Sequence, residues 1–219
     1  MHQEIDSLII YEDAHIIVCR KPAGIPTQTA RIGTPDMVSM LKTHLAPSSE
    51  GEPYLAVIHR LDQPVEGLLV FAKTPAAARE LNRQLTTSGF GKYYKALVSG
   101  VPCPEEGTLT DYLIRDGRTN TSRVCDAAAP GAKKAVLHYR VEEIRGDFSL
   151  VDIRLDTGRH HQIRVQLAHM GCPVVGDQKY GETDRGKANP LCLFAFRLKF
   201  HHPSSHREME FVEPFPYLD

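Results

Sequence analysis

Residues 59–74, HRLDQPVEGLLVFAKT, decide how the rest of the chain is read. The second half, GLLVFAK, is a continuous apolar run of strand length, and such a run belongs to a strand covered on both faces. Arg60 and Asp62 stand just before it. An aspartate beside a core strand stays ionised only when a cation or several donors replace its lost hydration. The stretch therefore predicts a central strand fed by a charged loop, and it requires a partner for Asp62 from elsewhere.

Outward from this strand, YLAVIHR reads as a second central strand, and SLII with HIIVCRK as a hairpin across YEDA, followed by the irregular PAGIPTQ. TPDMVSMLKTHLA predicts a helix with Thr34 as N-cap, Pro35 in the first turn and an apolar stripe of Met37, Leu41 and Leu45. TPAAARELNRQLTTSG repeats the pattern, with Thr74, Pro75, the stripe Ala77, Leu81 and Leu85, and Gly89 as the stop.

From residue 92 onward strands dominate: KYYKALVSG, TLTDYLI, AVLHYRVEEI, FSLVDIRL, LCLFAFRLKF and EMEFV. A third helix fits HHQIRVQLAHMG, with Ile163, Leu167 and Met170 as its stripe and Gly171 as its stop. The polar segment 116–134 reads as a long hairpin loop or flap. The class is α+β, with a mixed, mainly antiparallel sheet and flanking helices.

A chain of 219 residues that is 42% hydrophobic buries one sizeable core, or two small ones, and a single domain over 1–219 is the expectation. There is no apolar run of membrane-spanning length, and the opening MHQEIDSLII carries acids where a secretion signal carries bases, which predicts a soluble cytoplasmic protein. The five cysteines are scattered without C-x-x-C spacing, so neither a zinc knuckle nor a disulfide framework is indicated. The formal net charge of -1 hides acidic ends flanking a moderately basic middle, which suits phosphate but does not establish it.

Two further stretches bear on Asp62. In LDTGRHHQIRVQLAHMG, Arg164 lies one step off the buried stripe, where its guanidinium reaches the margin of the core and suits a two-pronged pairing with a carboxylate. GKYYKALVSG supplies tyrosines at the start of a strand, where a ring forms the wall of a pocket for a planar ligand or simply part of the core.

Taken together, LIIYEDAHIIVCRKPAGIP, HRLDQPVEGLLVFAKT, KYYKALVSG and TGRHHQIRVQLAHMGCPVVGDQKYG resemble the RluA family of RNA pseudouridine synthases over nearly the whole chain. The resemblance implies a pseudouridine synthase-like catalytic domain that isomerises uridine in ribosomal or transfer RNA to pseudouridine without a cofactor or metal. It places the nucleophile at Asp62, the active-site tyrosine at Tyr94 rather than Tyr93, and the arginine that pairs with the nucleophile at Arg164. Arg60, as the filler of the stack left by a flipped nucleotide, and His161 and Gln162 of the HQIR motif are implied as substrate-binding residues. The partner is RNA, the protein a monomer, and no separate N-terminal RNA-binding domain is expected.

The family commonly has Thr-Ser where this chain has Val65 and Glu66. A second carboxylate so near Asp62 is expected to turn away and engage a basic group, Arg60 or another. His59, His160, His161 and His169 with Asp177 lack the spacing of a metal site, and the glycines of KPAGIP and GDQKYG read as turn formers. A catalytically inactive RNA-binding protein of this fold and a metal-dependent hydrolase are the alternatives to the synthase.

Overall fold

In the computed structural model, which describes residues 5–31, 33–49, 51–87, 89–181 and 190–217, the apolar run becomes strand β4 (Glu66–Ala72), with Leu68 through Ala72 all buried. Its partner β2 (Ile16–Lys21) runs antiparallel with Val18 opposite Val70, and β1 (Ile9–Glu12) closes the hairpin with β2. The hairpin turn is held by Asp13, whose carboxylate accepts the N–H groups of His15 and Ile16. YLAVIHR departs from expectation: only Ala56–Val57 form a strand, β3, a half-buried pair at the end of β4. Its apolar residues serve a loop that leads to Asp62.

The chain divides into two units, Met1–Gly91 with Ala195–Pro214, and Lys92–Phe194 with Phe215–Asp219. The first holds β1 to β4, helices α1 (Met37–Leu45) and α2 (Pro75–Thr86), most of β10 (Leu193–His201), which adjoins β4, and β11 (Glu208–Val212), antiparallel to β10. One face of its sheet, with Ile16, Val18, Leu68 and Val70, packs with Ala77, Ala78 and Leu81 of α2. The opposite-facing Ile17, Cys19, Leu69 and Phe71 are equally buried, so both faces are covered. Each such side chain contributes about 1.5–3 kcal/mol by leaving water.

Helix α1 buries Met37, Leu41 and Leu45 as its stripe predicts, but its N-cap is Asp36, not Thr34. The Asp36 carboxylate accepts the Ser39 N–H at 2.7 Å while the Ser39 hydroxyl accepts the Asp36 N–H at 3.1 Å. Asp36 sits one position before the first stripe residue and brings its own reciprocal partner, so it takes the cap. Thr74 does cap α2, accepting the Ala77 N–H at 3.1 Å, with Pro75 in the first turn. That helix ends at Thr86 on an extended Thr87, so Gly89 is not its terminator; Gln84 lies buried beside Leu81 and bonds the backbone of His201, while Leu85 is only partly buried.

The second unit strings β5 (Gly91–Ser99), β9 (Phe148–Leu155), β8 (Lys133–Arg145), β6 (Glu106–Asp116) and β7 (Thr121–Cys125) in that antiparallel order. The polar segment 116–134 is not one loop: its centre, TSRVC, is β7, paired with Tyr112–Asp116 of β6. Polar residues conceal this strand because its outer positions face solvent. Helix α3 (Gln162–His169) lies against β6 and β7, with Val165 packed on Leu113 and Ala135. Gly171, at φ +88, terminates it, giving its N–H to Ala168 while Cys172 gives its own to Leu167. None of the described helices is long and apolar enough to cross a membrane.

Candidate active site

In the first unit the candidate nucleophile, half-buried Asp62, occupies the loop entering β4 and opens a turn closed by the Val65 N–H on its carbonyl at 3.0 Å. Its neighbours are clamped by residues 21–28. Thr27 hydrogen-bonds the backbone of Leu61 in both directions, through its hydroxyl to the carbonyl at 3.1 Å and from the N–H at 3.2 Å. Gln63 and Gly24 exchange bonds, the Gly24 N–H reaching the Gln63 carbonyl and Gln63 Nε2 reaching the Gly24 carbonyl, each at 2.9 Å. Gly24 holds φ +85, a conformation glycine adopts without strain.

Lys21 completes the clamp. It is wholly buried at the end of β2, and its ammonium donates to the carbonyls of Pro22, Ile25 and Gln63 at 2.9, 2.7 and 3.0 Å. Loss of hydration lowers its pKa to about 8, against the opposing pull of Asp62 and Glu66. A buried cation thus lies within electrostatic reach of Asp62, a role hidden in KPAGIP when its Gly and Pro are read as turn formers. Arg60 is exposed and donates from Nη2 to Gln28 at 2.9 Å. Glu66 engages Arg20, not Arg60, at 2.8 Å from Nε and 2.7 Å from Nη2. The acid expected to seek a basic partner finds one on the neighbouring strand, where Arg20 pairs with Leu68.

In the second unit, alternation along β5 buries Tyr94, Ala96 and Val98 on one face and leaves Tyr93 half-buried on the other.

Arg164 is only 3% exposed, enclosed in α3 rather than at the core margin, because Gln162 through Leu167 are all buried. Its guanidinium meets Asp177 with Nε and Nη2 each 2.7 Å from a different carboxylate oxygen. Asp177 also accepts the N–H groups of Lys179 and Tyr180. Burial alone would raise the Asp177 pKa; the guanidinium and the two N–H groups outweigh it and hold the carboxyl below its usual value. GDQKYG is thus more than a turn: it brings a charged partner to Arg164.

Tyr180, from the same turn, lays its ring 5.2 Å from the Arg164 guanidinium carbon. Its hydroxyl accepts the Ser122 N–H at 2.7 Å and meets Nδ1 of His161 at 2.7 Å. His161 stands in the left-handed region at φ 54, just before α3, with its ring stacked 3.7 Å from His160. Burial, reinforced for His161 first by Arg164 and for His160 first by Arg115, lowers their pKa values to about 3 and about 4. Both are neutral at physiological pH. Gln162 builds the turn before the helix: Oε1 accepts from the Thr157 hydroxyl and the Arg159 N–H, and Nε2 donates to the Val136 carbonyl.

Among the described residues no group of three or more His, Cys, Asp or Glu is arranged to hold a metal ion. The five cysteines are free thiols.

Comparison with known proteins gives these two sets of residues a context. A human RNA pseudouridylate synthase domain-containing protein 1 superposes with a TM-score of 0.75 and 28% identity over 96% of this chain and 84% of its own. The ribosomal large subunit pseudouridine synthase D of Vibrio parahaemolyticus is 36% identical over 98% of this chain and 69% of its own length. An RNA pseudouridine synthase of Bacillus subtilis is 34% identical over 98% of this chain and 71% of its own. The model of the RNA pseudouridylate synthase family matches residues 15–169, a span that takes in HRLDQPVEG, KYYKALVSG and TGRHHQIR together, and the chain belongs to that family.

Proposed function

We propose that this protein isomerises uridine in ribosomal RNA to pseudouridine, with Asp62 as the nucleophile, Tyr94 as the ring that holds the uracil, and Arg164 as the cation that keeps the reacting carboxylate ionised and aimed. The C1′–N1 bond of the nucleotide breaks, the uracil turns, C5 bonds to C1′, and the C5 proton is lost as N1 is protonated. The product is an isomer, so no electron acceptor or group donor enters the balance.

The observation that carries the reading is the clamp around Asp62. A carboxylate that must stabilise or trap an electron-poor C1′ needs fixed aim, and the backbone on both sides of Asp62 is tied to Thr27, Lys21 and Gly24. Tyr94 supplies an aromatic ring from the face of β5 that also buries Ala96 and Val98, and base–aromatic stacking tolerates a turning base. Arg60, exposed and held by Gln28, is available to fill the gap a flipped nucleotide leaves. Gln162 acts on substrate through the turn it builds, and His161 through the imidazole it holds at the head of α3.

The name of the Vibrio relative favours ribosomal RNA over transfer RNA. Mapping pseudouridines in the RNA of cells with and without the gene tests this directly. The expected result is loss of one or a few pseudouridines from large-subunit ribosomal RNA; loss confined to transfer RNA overturns the substrate, and an unchanged map overturns the function.

A further inference from the structure

Lys92 is the second residue of strand β5 and stands two residues before Tyr94, on the same face of the strand and roughly 6.6–6.8 Å along it. Its ammonium makes no hydrogen bond or ion pair among the described residues, in contrast with Lys21, which is fully satisfied, and Lys95, which pairs with Glu142. Its neighbour is the turn 157–159. A Cβ built on Gly158 would stand 3.4 Å from the Lys92 Nζ, so the absence of a side chain there leaves the ammonium open. The Gly158 N–H likewise has no acceptor among the described residues. The turn itself is rigid, held by Thr157 and Gln162 to each other and to Val136.

A half-desolvated cation, an adjacent donor N–H and a gap where a side chain would be are complementary to an oxyanion. We infer that Lys92 and the Gly158 backbone form a subsite for one phosphate of the RNA chain, which seats the strand carrying the target nucleotide beside Tyr94. This inference rests on the RNA-modifying reading above and adds a contact to it. Burial holds the Lys92 pKa below its ordinary value, with Asp156 pulling the other way from a distance, and a bound phosphate would supply a counter-charge in direct contact.

The test uses the full chain and an unmodified large-subunit ribosomal RNA transcript, with dissociation constants measured across a series of monovalent salt concentrations and single-turnover pseudouridine formation at saturating RNA. Lys92→Met is expected to raise Kd by about five- to tenfold, with the salt slope reduced by about 0.7, as for one lost phosphate contact on single-stranded RNA. The loss should reside in binding rather than in the rate at saturation, and Lys92→Arg should restore most of it. Gly158→Ala, which keeps the charge but places a methyl in the gap, is expected to weaken binding several-fold. Circular dichroism identifies any variant that fails to fold, and Lys92→Gln then replaces Lys92→Met. An unchanged Kd and slope in the folded Lys92 variant overturns the subsite. So does a collapse of the saturated rate at unchanged Kd, which would put Lys92 in the chemistry, and so does a weakened Lys92→Met with an unaffected Gly158→Ala. A parent protein that forms no pseudouridine in any ribosomal RNA overturns the functional reading itself, a result distinct from an active parent whose Lys92 variant binds normally.

Discussion

Arg164 and Asp177 form a buried two-pronged ion pair, each carboxylate oxygen taking one guanidinium N–H at 2.7 Å. Their side chains are 4% and 0% exposed, so neither charge has water to fall back on. Removing one member of such a pair costs far more than the pair contributes over an apolar replacement. Asp177→Asn is expected to destabilise the protein by about 3–5 kcal/mol, read from the urea midpoint. A loss below about 1 kcal/mol would show that other groups hold Arg164 in place.

Asp62→Asn keeps the shape of the side chain and removes its charge. Product formation should disappear while the affinity for RNA falls by less than about tenfold, about 1.4 kcal/mol. Turnover at a substantial fraction of the parent rate would exclude Asp62 as nucleophile.

The two stacked histidines give a prediction in pH. Their folded pKa values, about 4 for His160 and about 3 for His161, lie below the ordinary value near 6.5. Between these values the unfolded chain binds more protons than the folded one, so stability falls as the pH drops. The urea midpoint should decline from about pH 6.5 down to about pH 4, mostly above the range in which carboxylates titrate. His160→Asn should flatten that decline; an identical slope would show that His160 takes up its proton over the same pH range in the folded and unfolded chain.

Gly67, next to Glu66 in β4, has φ +130 and lies so close to β10 that a Cβ would stand 2.4 Å from the Ala195 carbonyl oxygen and 2.5 Å from its nitrogen. Backbone cannot swing aside as a side chain can, so Gly67→Ala should cost about 3 kcal/mol or more through strain and strand separation. Parental thermal stability in this variant would mean that the two strands part without penalty.

Glu66→Ser introduces the residue common in relatives and frees Arg20, which keeps a longer contact of 3.5 Å to Glu213. The Arg20–Glu66 pair is partly exposed, so the expected loss is about 1 kcal/mol. A double-mutant cycle with Arg20→Met should assign most of that loss to the pair; zero coupling would make Glu66 a neutral variant.

What the sequence made legible was whatever depended on a local pattern. The run Leu68–Ala72, the stripe Met37, Leu41 and Leu45, the Thr74 cap and the Gly171 stop each declare themselves within a turn or a strand. YLAVIHR misled because apolar content alone does not separate a strand from a buried loop, and β7 hid because three of its five residues, Thr121, Ser122 and Arg123, are polar even though only Arg123 is exposed. Among the candidate site residues, Asp62, Tyr94 and Arg164 stood out through motifs. Lys21 and Asp177 did not, because the partners that define them are distant in sequence: the Gln63 carbonyl for Lys21, an arginine one helix away for Asp177.

The close approach of Gly67 to Ala195 also bears on how the molecule is made. Strand β4 is synthesised early, yet the backbone that lies against it arrives only after all of Lys92–Phe194. A nascent chain stalled before residue 195 would display the inner edge of β4, with its unpaired amides and carbonyls, while the intervening hairpins β6 to β9 need only local pairing. Co-translational folding is therefore expected to proceed out of order along the chain, the middle maturing first and the inner edge of β4 at Gly67 being covered only near the end of translation.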